Sequence, residues 1–113
     1  MSITRIEVGP RMSEAVIHGS VVYLAGQVAK GDSVTAQTQA VLDQIDALLA
    51  QAGTDKTKLL TATIYLADIS TFAEMNAVWD TWVSAGNTPA RATVEAALAT
   101  PDYKVEIVVK AAI

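Results

Sequence analysis

The chain has 113 residues, of which 51 % are hydrophobic and only 18 % charged, and its net charge is −4. That length favours one domain, residues 1–113, with a single core, and acidity without a basic run argues against nucleic acid as a primary partner. With no cysteine, disulfides, thiolate nucleophiles and cysteine metal sites are excluded.

The single histidine, His18, rules out a multi-histidine metal cluster, so no metal is expected. The opening Met1-Ser2-Ile3-Thr4-Arg5 lacks an apolar h-region, and no apolar run reaches the roughly 18 residues of a membrane span, so a soluble, cytoplasmic protein without a membrane partner is expected. So few charges on so small a domain predict that another subunit covers some apolar surface.

Ile3 to Val8 alternates imperfectly and predicts a short strand ended by Gly9-Pro10. Glu14–Gly19 and Val21–Gly26 read as a hairpin turning at His18-Gly19-Ser20. Val21-Val22-Tyr23-Leu24 is a continuous run of β-formers, and Gly26 follows it. A glycine there either admits close approach of a ligand or another backbone, or serves as a bulge or turn. Asp32 or Ser33 caps a long helix running to about Ala52, with Gly53 beyond its end. Val34, Thr38, Val41, Ile45, Leu48 and Ala52, with Leu42 and Leu49, form its apolar stripe. Gln37, Asp43, Asp46 and Gln51 are expected on its solvated face.

Leu59–Ala67 reads as a strand. Thr71-Phe72-Ala73-Glu74 fits a capping box. Phe72, Met75, Trp79 and Trp82 recur on one face of a second helix ending near Gly86, a stripe that predicts core packing. Arg91–Leu98 and Lys104–Ala112 are the last two strands. The order β-β-β-α-β-α-β-β gives a two-layer α+β domain, a mixed sheet with both helices on one face. The other face is left for oligomerisation.

Two residues carry the candidate chemistry. Arg91 opens a strand just after the turn Asn87-Thr88-Pro89. Its planar fork either pairs with Glu95 or a helix acid, or holds a small anion through two parallel hydrogen bonds. Glu106 lies among β-formers, so it is either a half-buried carboxylate needing a partner or an outward residue on a half-exposed sheet.

Tyr23-Leu24-Ala25-Gly26-Gln27, Ile64-Tyr65-Leu66-Ala67-Asp68, Met75-Asn76 with Trp79, Pro89-Ala90-Arg91 and Val105-Glu106-Ile107 occur in this order over nearly the whole chain. In this the sequence resembles the Rid family of reactive intermediate deaminases, the YjgF-type proteins. The resemblance implies a chorismate-mutase-like α+β fold and a homotrimer with ligand clefts between subunits. It also implies hydrolysis of enamines and imines of amino acids to 2-keto acids and ammonia. Arg91 would hold the carboxylate of an imino or keto acid, and Glu106 would position the attacking water. Backbone groups near Thr93 and Gly26, with Asn87 and Arg11, complete the expected ligand set.

The chemistry suits these residue types. An imine carbon is already electrophilic, so the reaction needs no cofactor, only a clamped carboxylate and a carboxylate that orients water and takes its proton. Departures from the family pattern mark a divergent branch. Arg11-Met12 follows Gly9-Pro10 where many relatives have tyrosine, Thr93 stands where cysteine is frequent, and Leu24-Ala25 replaces a common serine. Val108 stands where many have a second acid. The alternative reading is a non-catalytic trimer that binds small carboxylates as a sensor or regulator. A ribonuclease role conflicts with the acidic charge and the lone His18.

Overall fold

The computed structural model of the chain describes residues 1–113. Six strands and two helices follow one another as β1 (Ile3–Val8), β2 (Ser13–His18), β3 (Val21–Leu24), α1 (Val34–Gln51), β4 (Leu59–Leu66), α2 (Phe72–Trp82), β5 (Ala90–Glu95) and β6 (Val105–Ala112). They form one sheet in the order β1-β2-β3-β6-β4-β5. Only β4 and β5 are parallel neighbours; every other pair is antiparallel. α1 returns the chain from β3 to β4, leaving a gap that β6 fills, and α2 joins the adjacent parallel pair. Neither helix is long and apolar enough to cross a membrane.

The expected stripe of α1 is the core. Val41, Leu42, Ile45 and Leu49 are buried against Val22, Ile64, Ile107 and Val109 of the sheet and Met75, Trp79 and Trp82 of α2. Each such side chain contributes about 1.5–3 kcal/mol by leaving water. Ser33 is the N-cap, its side chain accepting from Ala36 N–H, and Gly53 beyond the helix takes φ +82. Strand parity puts Ala62, Ile64 and Leu66, and Val105, Ile107 and Val109, beneath the helices. Tyr65, Glu106 and Val108 therefore face the other way, onto a sheet surface that no helix covers and that the segment after β5 only borders. Tyr23 and Val94 are 42 % and 43 % exposed.

Several expectations are corrected. Gln37 does not lie on a solvated face: it is fully buried and hydrogen-bonded to Gly31, Asp102 and Lys104. Asp46 likewise accepts from Trp82 Nε1 at 3.0 Å. The capping box does not form. Thr71 makes no cap bond, and Glu74 instead reaches Thr35 N–H and Oγ1, both at 2.9 Å, at the start of α1. α2 stops at Trp82 rather than near Gly86, because Val83 turns extended and Ser84 and Asn87 bond each other through backbone and side chain. β5 ends at Glu95 rather than Leu98. Its partner β4 ends at Leu66, whose carbonyl accepts the last bond, from Ala96 N–H. Phe72, expected in the core, is 38 % exposed.

Candidate functional site

Arg91 lies on β5, an edge strand, in register with Ala62 of β4. It shares the helix face of the sheet, and its guanidinium carbon sits 5.3 Å from the Trp79 ring centroid and 5.7 Å from that of Phe72. These are cation–π distances, in which the ring faces attract the charge without satisfying its hydrogen-bond donors. Glu95, four residues further along the strand, does not pair with it; its Oε1 accepts from Ile69 N–H at 3.0 Å. The fork is half-buried and its donors are unspent.

Two polar atoms without partners lie on the same face. Thr93 lies two residues along β5, hence on the same face, and its buried Oγ1 has no partner. On α2, Phe72, Asn76 and Trp79 share a face at i, i+4 and i+7, so Asn76 lies between the rings that carry the guanidinium. Its buried Oδ1 also has no partner. In the sequence Asn76 stands out only as part of the Met75-Asn76 motif. The helical spacing from Phe72 to Trp79 is the signal that places it here.

Glu106 lies on the opposite sheet face. It is half-buried and lines a cleft of about 290 Å³ with Tyr65, Ala97, Leu98 and Val108. Its carboxylate fills the space over Gly26: a Cβ there would lie 2.8 Å from Glu106 Cδ. Of the two uses expected of Gly26, close approach is the one realised, and what approaches is a side chain of the same chain. Gln27 pairs with Ile107 just beside it, through N–H···O bonds of 2.9 and 3.1 Å.

The remaining residues lie apart. Asn87 is exposed, its side chain bonded to Ser84 Oγ at 3.1 Å. Arg11 is exposed in the β1–β2 turn; with strands about 4.8 Å apart, β2 and β5 are separated by roughly 19 Å. The structure thus divides the expected site into Arg91 with Thr93, Glu106 with Gly26, and Arg11 beyond both. A cleft of about 390 Å³ between Ser33, Asp68, Tyr103 and Lys104 contains none of them.

Residues 2–113 match the family described as Endoribonuclease L-PSP. A RutC family protein from Haemophilus ducreyi is 51 % identical over 98 % of this chain and 97 % of its own length. The chain belongs to the Rid family, the YjgF/RutC-type proteins. A second Rid relative, the RutC family protein YoaB of Escherichia coli, is 46 % identical over the full length of both chains. The crystal structure of a YjgF family member from Neisseria meningitidis superposes on this Rid chain with a TM-score of 0.97 at 50 % identity, covering 99 % of this chain and 95 % of that one. The α+β architecture expected from the sequence is therefore the family's fold, and membership supports a role in processing small molecules.

Proposed function

We propose that the protein hydrolyses enamine and imine intermediates of amino acids to 2-keto acids and ammonia. The observation that carries this reading is the Arg91 fork, half-buried on Trp79 and Phe72 with no carboxylate of its own. A guanidinium kept partly out of water and unpaired is suited to a bidentate carboxylate from a ligand. The orphaned Asn76 Oδ1 and Thr93 Oγ1 supply an acceptor and a hydroxyl for the nitrogen end. Buried polar atoms without partners are costly, and a bound polar ligand relieves that cost.

Glu106 orients a water and takes its proton as the oxygen adds to the imine carbon, then returns the proton to the nitrogen; the C–N bond breaks as the carbonyl forms, and ammonia leaves. Arg91 and Glu106 occupy opposite sheet faces, so one ligand meets both only in a cleft between two copies, with Gly26 and Glu106 from one and Arg91 and Thr93 from the other. A homotrimer closed through the uncovered sheet face provides such clefts and buries Tyr23 and Val94.

The test is 2-ketobutyrate release from 2-iminobutyrate generated in situ, measured above the uncatalysed rate. Arg91→Ala is expected to lower kcat/KM at least about a hundredfold, since two charged hydrogen bonds are worth roughly 3 kcal/mol or more. Wild-type protein giving only the buffer rate overturns the reading. The separation of Arg91 from Glu106 favours a second one, carboxylate binding without turnover. Keto-acid binding abolished by Arg91→Ala, with no imine turned over, selects it.

A further inference from the structure

A fully buried, fully hydrogen-bonded polar side chain of α1 has no part in the proposed reaction. Gln37 is fully excluded from solvent. Its Nε2 donates to Gly31 O at 3.0 Å and to Asp102 O at 2.9 Å, and its Oε1 accepts from Lys104 N–H at 2.8 Å. These partners belong to two separate segments. Gly31 is in the loop that continues from Gly26 and Gln27; Asp102 and Lys104 are in the turn that leads into Glu106.

The same segments meet once more. Regular pairing of β3 with β6 runs only from Val21–Ala112 to Tyr23–Lys110. It lapses and returns as the isolated Gln27–Ile107 bridge. Gly26 and Glu106 are the chain neighbours of that bridge, which holds the glycine's open face against the carboxylate. Glu106 and Ile107 are held on their other side by Tyr65 and Ile64 of β4. The arm short of support is therefore the Gly26–Gln27 segment, whose backbone meets β6 only through this bridge. The Gln37 amide supplies that support from the core side, with one bond to the first segment and two to the second.

We infer that Gln37 is a positioning residue for Glu106. It acts through the Gln27–Ile107 backbone pair and does not touch substrate. A general base held within hydrogen-bond reach of its water works only while its backbone is fixed.

The test uses Gln37→Met, which keeps the side-chain length and removes all three bonds. Amide hydrogen exchange at Gln27 and Ile107 is expected to rise about tenfold or more, with the β1–β2 amides unchanged. Wild-type exchange at both positions overturns the inference. If Gln37→Met is recovered unfolded, the same two amides are read in Gln37→Glu, which keeps the acceptor for Lys104 N–H.

A kinetic arm rests on the deaminase reading. There kcat is expected to fall about tenfold while inhibition by 2-ketobutyrate, an Arg91 property, stays constant. Added to Glu106→Ala, Gln37→Met is expected to cost nothing more, and a further tenfold loss in that background overturns the inference. Failure of the wild type to turn over any imine removes the deaminase reading alone, because the exchange measurement still decides the role of Gln37.

Discussion

Replacing Gly26 by alanine tests how the Glu106 carboxylate is seated. The added Cβ would lie 2.8 Å from Glu106 Cδ and 3.2 Å from Cγ, inside the roughly 3.5–4.0 Å at which carbon atoms pack. Gly26 is not among the glycines with positive φ, so its backbone accepts a side chain without strain and the whole conflict falls on Glu106. Turning a side chain about 30° off its rotamer costs roughly 0.5–1.5 kcal/mol. For 113 residues, about 1 kcal/mol corresponds to a Tm lower by about 4 °C. The chemical effect is larger, because a general base displaced by about 1 Å loses on the order of a hundredfold in rate. Gly26→Ala should therefore be folded, slightly less stable and about a hundredfold slower in kcat. Wild-type kcat in the substituted protein would refute the argument that this glycine seats the carboxylate. A stability loss above about 3 kcal/mol would also refute it, by locating the damage in the backbone.

Other consequences are smaller. Glu74→Ala removes the carboxylate that accepts from Thr35 N–H and Oγ1 and should cost about 0.5–2 kcal/mol of stability in denaturant unfolding; Thr71→Ala should cost less, since Thr71 caps nothing. Hydrogen bonds from the Ser70 side chain, then its backbone, hold the Asp68 carboxyl below the ordinary value of 3.8, and Thr57 does the same for Asp55. A carboxyl lowered by folding binds fewer protons in the native state. Its contribution is therefore complete above about pH 4 and is lost as pH falls through the lower native value. Urea midpoints measured from about pH 5 to pH 2 should show a fall that flattens in Asp68→Asn and Asp55→Asn.

What could be read from the sequence were the features set by neighbours in the chain. The period of Val34, Val41, Ile45 and Leu48 gave α1, Ser33 and Gly53 gave its ends, and the alternation in Leu59–Leu66 gave β4. Motif order gave the family, and with it the fold. What could not be read depended on distant partners. Thr71 and Glu74 have capping-box spacing, but Thr35, far back in the chain, offers Glu74 the better pair of donors. Gln37 falls on the polar side of a helical wheel, yet that side meets the turn before β6, where three backbone groups await an amide. Arg91 and Glu106 are each legible as candidates. Their placement on opposite faces follows only once β6 is known to pair with β4 and β5 to lie outside it. Asn76 carries no signal of its own, because a lone asparagine in a helix means little until the rings at Phe72 and Trp79 are seen to carry a cation.

The insertion of β6 between β3 and β4 has a consequence for how the molecule is made. The two strands it joins are synthesised well before it, so the growing chain holds a three-stranded meander and a β-α-β unit whose inner edges wait unsealed. Contacts of such long sequence separation form slowly, and unsealed edges invite pairing with other chains. Shortening the chain into Val109 or Ala111 would open a seam at the centre, whereas losing Ile3 or Thr4 would only trim a border.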